Sequence, residues 1–91
     1  MSAIQYKKGL ELWVWDTGEL EGFALYLNGE LLDEQNVPLL RYDIGKPDGV
    51  SAIVVQFGGA DGGATKIVDT EAAKVLVHQD SGTNHGYIVE S

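Results

Sequence analysis

The chain has 91 residues, 44% of them hydrophobic, no cysteine and a formal net charge of −8. That is enough apolar material for one modest core, so residues 1–91 read as a single folded domain rather than a disordered chain. The missing thiols exclude a disulfide framework, a zinc–thiolate site and a cysteine nucleophile, and the negative balance disfavours direct binding to nucleic acid or to an anionic membrane.

The first residues, Met-Ser-Ala-Ile-Gln-Tyr-Lys-Lys, lack the apolar stretch of a signal peptide. No run reaches the roughly 18 apolar residues that span a bilayer. Small secreted domains usually depend on disulfides, so a cytoplasmic location is expected. Ile4-Gln5-Tyr6 reads as a short edge strand, with Lys7 and Lys8 discouraging sheet-to-sheet association. Leu10 to Trp15 is a strand by composition: Leu10, Leu12 and Val14 share one face, and Glu11, Trp13 and Trp15 share the other. Asp16-Thr17-Gly18 is a turn signal.

The clearest element is the hairpin over residues 23–35. Asn28-Gly29 lies between two apolar runs, and both residues accept the positive φ of a type I′ turn. A turn there predicts a regular register in which Leu27 faces Glu30, Tyr26 faces Leu31, Leu25 faces Leu32, Ala24 faces Asp33 and Phe23 faces Glu34. Phe23, Leu25, Leu27 and Leu32 then lie on one face, with Tyr26 and Leu31 on the other. Pro38 ends the hairpin because it cannot donate to a ladder.

Leu39 to Ile44 is the next strand, with Leu40, Tyr42 and Ile44 as its core face. Pro47-Asp48-Gly49 turns the chain. Val50 to Phe57 is apolar on both faces, which predicts a central position. Gly58 to Gly63 reads as a mobile hairpin loop or contact loop. Thr65 to Val68 is a short strand, residues 69–74 have room for one helical turn, and a further strand runs from about residue 73 to 79. Asp80 to Gly86 reads as a polar loop before a last strand at Tyr87-Ile88-Val89. The expected fold is therefore all-β: a small antiparallel β-sandwich or barrel of about seven to eight short strands. The run from Phe23 to Phe57 resembles, in strand spacing alone, the middle of an immunoglobulin-like or fibronectin type III-like sandwich, without the Cys-Trp-Cys landmarks. That implies a fold and no function.

Three groups of residues invite a functional reading. Between Lys8 and Arg41 stand seven acids and no base: Glu11, Asp16, Glu19, Glu21, Glu30, Asp33 and Glu34. On neighbouring strands they would form a one-sign surface for a basic protein, a nucleic-acid-binding protein being one form of it. The plain alternative is a solvated face of an acidic protein. Trp13 and Trp15 can anchor an interface or stack on a sugar, but at least one of them is expected in the core. Gly58 to Gly63 lacks the Gly-Lys-Ser/Thr of a phosphate loop and the acidic ladder of a calcium loop. His78 and His85, the only histidines, have no metal-ligand spacing, and Ser81 near them lacks a nucleophile-elbow context.

The composition therefore leads to a non-enzymatic protein-binding module of the inhibitor, immunity or phage counter-defence type, without cofactor or metal. Its contact residues are expected to be Glu11, Trp13, Trp15, Glu19, Glu21, Glu30, Asp33 and Glu34. A self-assembling viral particle protein, which would be a homo-oligomer, and a sugar-binding or small-molecule-binding module using Trp13 and Trp15 are the alternatives.

Overall fold

The computed structural model describes residues 3–16, 22–35, 39–70 and 74–91. They form nine strands: β1 (Ile4–Gln5), β2 (Leu10–Asp16), β3 (Phe23–Leu27), β4 (Glu30–Gln35), β5 (Leu39–Gly45), β6 (Val50–Phe57), β7 (Gly63–Asp69), β8 (Lys74–Gln79) and β9 (Asn84–Glu90). One five-stranded sheet has the order β1-β9-β6-β3-β4, and a four-stranded sheet has the order β5-β2-β7-β8. All pairings are antiparallel except β1 on β9. The all-β expectation holds, and the architecture is two packed sheets.

The turn at Asn28-Gly29 forms as its residues dictate, with φ of 51° and 82°. Asn28 also locks the hairpin onto β6, because its Oδ1 accepts from Ala52 N at 2.8 Å while its own N–H donates to the Ala52 carbonyl at 2.8 Å. The register beyond the turn departs from the regular one. Leu27 pairs Glu30 and Tyr26 pairs Leu31, but Leu25 then pairs Asp33, Ala24 pairs Glu34 and Phe23 pairs Gln35. Leu32 is the extra residue of a β-bulge. Leu32 packs against the core and Leu31 stays 48% exposed, the faces their parity assigns.

β6 takes the middle of its sheet, as its two apolar faces require. Alternation sends Leu10, Leu12 and Val14 of β2, Phe23 and Leu25 of β3, Ile53, Val55 and Phe57 of β6, Ile67 of β7 and Val89 of β9 into the layer between the sheets. Each fully buried Leu, Ile or Val among them contributes about 1.5–3 kcal/mol relative to exposure. Leu40, Tyr42 and Ile44 pack against this core from β5, as their parity predicts.

In the C-terminal half one reading changes and one falls partly outside the described residues. Asp69 closes β7 and pairs with Lys74, and Thr70 is a turn; residues 71–73, on which a helical turn would centre, lie outside the described residues. β9 starts at Asn84, three residues before Tyr87. Asn84-His85-Gly86 looks polar in sequence, yet it pairs with Val54 to Gln56 of β6 and sends His85 inward. His85 is fully buried, and its Nδ1 meets Thr65 Oγ1 of β7 at 2.7 Å, joining the two sheets through the core. Tyr87 makes a second bridge, its hydroxyl donating to Gln79 Oε1 of β8 at 2.6 Å.

The glycine loop is tied down. Gly63 N donates to Gly82 O and Phe57 N to Thr83 O. A Cβ on Gly63 would collide with the Phe57 ring and the Trp15 carbonyl, so only glycine fits there.

Candidate functional site

The solvent face of the four-stranded sheet carries the candidate site. Strand alternation puts Leu10, Leu12 and Val14 inside, and therefore Glu11, Trp13 and Trp15 outside. Both indoles are half-buried, and neither belongs to the core. This corrects the expectation of a core tryptophan. The inner layer is already filled by the three aliphatic side chains, and the rings find their cover on the outer face instead.

That cover is cationic. Trp13 pairs with Arg41 on one side and Lys66 on the other. The Arg41 guanidinium carbon lies 4.4 Å from the Trp13 ring centroid, and Lys66 Nζ lies 4.8 Å from it. Lys66 also reaches Trp15, at 5.7 Å. In both contacts the cationic group itself lies over the ring, the geometry of a cation–π interaction. The two indole centroids are 6.0 Å apart, tilted by 36°, and His78 of β8 stands 6.3 Å from Trp15.

Glu11 completes the cluster. Its Oε1 accepts from Trp13 Nε1 at 2.8 Å and from Arg41 at 3.0 Å. The hydrogen bond from Arg41, then the one from Trp13, holds the Glu11 carboxyl below the usual carboxylate range. Glu11 therefore fixes the indole and the guanidinium and is already engaged from within the chain.

The described acids fall on two different sheets. Glu11 lies in the four-stranded sheet, whereas Glu30, Asp33 and Glu34 lie on β4, an edge of the five-stranded sheet. Glu19 and Glu21 lie outside the described residues. Residues close in sequence are separated here because β2 and the following hairpin enter different sheets. Asp33 Oδ1 accepts from Glu34 N at 2.8 Å, so part of this carboxylate's capacity serves its own backbone.

Sequence reasoning found Glu11, Trp13 and Trp15 as one group but missed Arg41, Lys66 and His78. Their parity was readable, since Arg41 alternates with Leu40 and Tyr42, but their adjacency to the tryptophans is set by cross-strand order. Among the described residues no three His, Asp or Glu side chains converge as metal ligands would, and no helix is long and apolar enough to cross a membrane. A cleft of about 420 Å³ opens elsewhere, between Tyr6 and Lys7 near β1 and Lys74 and Leu76 of β8, and none of the expected site residues lines it. No protein family, curated protein or solved structure matches this chain.

Proposed function

We propose that this chain is a non-enzymatic protein-binding module whose contact surface is the solvent face of the β5-β2-β7-β8 sheet, anchored by Trp13 and Trp15. The observation that carries the reading is the tryptophan pair held 6.0 Å apart on a rigid sheet, with an arginine against the first ring. Tryptophan and arginine dominate the energetic centres of protein interfaces, and side chains already fixed by their neighbours lose little entropy on binding. The cations beside the Trp13 ring occupy the surface on which a sugar would stack, which favours a protein over a saccharide. An inhibitor or immunity role asks least of such a chain, because it needs only occupancy of a partner's surface.

The test is selection of a random dodecapeptide display library on the folded protein, followed by rebinding of the selected peptides to Trp15→Ala. Selected peptides should bind the parent chain and lose about tenfold or more in affinity for the variant, in line with a central interface anchor. Peptides that bind both proteins equally, or a selection that enriches nothing, would place the function elsewhere.

A further inference from the structure

We infer that the partner presents a short acidic segment to this face, whose carboxylates meet Lys66 and Arg41 while an adjacent apolar side chain packs on Trp15. The inference rests on the binding reading above and reverses the charge expected of the partner from the sequence. One register row crosses all four strands of the sheet: Arg41 on β5, Trp13 on β2, Lys66 on β7 and His78 on β8. The chain has six Lys and Arg residues against 14 acids, yet two of the six stand in this row beside the tryptophans. The acid next to them, Glu11, is engaged by Trp13 and Arg41 and offers little to a basic partner. Asp43, which lies opposite Glu11 on β5, uses Oδ1 to accept from Gly45 N at 2.9 Å. The side chain of Arg41 is 58% exposed, so its guanidinium has donors left for a second carboxylate.

The width of the row limits the ligand. Four strands span about 14 Å at the usual strand spacing, room for a few residues of extended chain. Beyond the row four Lys and Arg residues stand against 14 acids, a field that repels a long polyanion. A short acidic segment meets the cations without running far into that field, whereas a nucleic acid carries phosphates along its whole length.

Salt dependence separates the two kinds of partner. A basic partner binds an acidic chain ever more weakly as salt rises. An acidic segment is repelled at long range and attracted only at the row. Its association rate should therefore rise as salt is raised from a few millimolar towards about 0.15 M, where charges more than about 8 Å apart are screened.

The peptide selection above decides the matter when its products are sorted by sequence. Enrichment of Asp and Glu beside an apolar residue, dependence on Trp15, and a loss of about tenfold with Lys66→Glu support the inference. The double variant Asp33→Lys/Glu34→Lys on β4 should leave binding of those peptides undiminished. Peptides that depend on Trp15 but are basic or neutral would overturn the inference and leave the binding module standing. Peptides indifferent to Trp15 would overturn both. A single-stranded dodecanucleotide that displaces the selected peptides in a Lys66-dependent way would replace the acidic segment by nucleic acid and overturn the inference.

Discussion

Replacing Thr65 with valine should destabilise the protein by an amount set almost wholly by one hydrogen bond. Thr65 and His85 are both fully buried, on opposite sheets, with Oγ1 and Nδ1 2.7 Å apart. The other ring nitrogen, Nε2, lies 3.0 Å from the Gly82 carbonyl, which can only accept. Nε2 therefore carries the hydrogen in the neutral ring, and Nδ1 accepts from the Thr65 hydroxyl. Valine nearly matches threonine in shape, so Thr65→Val opens no cavity. It removes the bond and leaves Nδ1 buried without a donor, which costs about 1–3 kcal/mol. For a chain of this length that lowers Tm by about 5–20 °C. Urea unfolding followed by far-ultraviolet circular dichroism measures it. A cycle with His85→Leu isolates the pair: once the imidazole is gone, Thr65→Val should cost less, with a coupling of about 0.5–3 kcal/mol. A Thr65→Val protein as stable as the parent, or strictly additive variants, would refute the assignment of a cross-sheet bond.

Two further outcomes follow from the same structure. Gly63→Ala drives a methyl group into the Phe57 ring and the Trp15 backbone, and should lower stability by about 1–3 kcal/mol or more, read by the same urea titration; an unchanged midpoint would contradict the close approach. The Glu11 carboxyl is held low in the folded chain by Arg41 and Trp13, so the stabilising contact is fully present above the ordinary carboxylate range and is lost as pH falls through the depressed folded value. Tryptophan emission should change over that acid range in the parent and not in Glu11→Gln.

Legibility tracked how local each determinant is. The Asn28-Gly29 turn was readable because two adjacent residues meet a backbone requirement by themselves. The inward face of β2 was readable because alternation needs only one strand. Parity also placed Leu32 inward and Leu31 outward, but the bulge at Leu32 was not readable, since the extra residue that shifts Asp33, Glu34 and Gln35 against Leu25, Ala24 and Phe23 is set by packing and not by the turn. The start of β9 was hidden for a related reason: a histidine with both nitrogens satisfied behaves as a core residue, and those partners, Thr65 and Gly82, come from separate parts of the chain. At the site, one strand supplied Glu11, Trp13 and Trp15. The neighbours that surround the indoles, Arg41, Lys66 and His78, come from β5, β7 and β8, whose order belongs to the whole sandwich.

The acidic composition has an explanation in the architecture that does not involve a partner. Two open sheets leave four edge strands, β1, β4, β5 and β8, each exposing backbone that could pair with another chain. β4 exposes Leu31, yet it carries Glu30, Asp33 and Glu34, and its bulge disrupts the regular ladder another strand would need. β1 has only two residues before Lys7 and Lys8, and β5 carries Arg41 and Asp43. Charges of either sign, short length and a bulge are the ordinary means of blocking edge pairing. The same features count against assembly through the β1, β4 and β5 edges. What folding does not require is a pair of large indoles on the solvent face of an interior strand, with Arg41, Lys66 and His78 drawn around them. A lysine or threonine pair at positions 13 and 15 would satisfy the same ladder with less exposed apolar surface. The cost of keeping the tryptophans outside is therefore the strongest reason to look for the function there, and the charge around them is the reason to look with an acidic ligand.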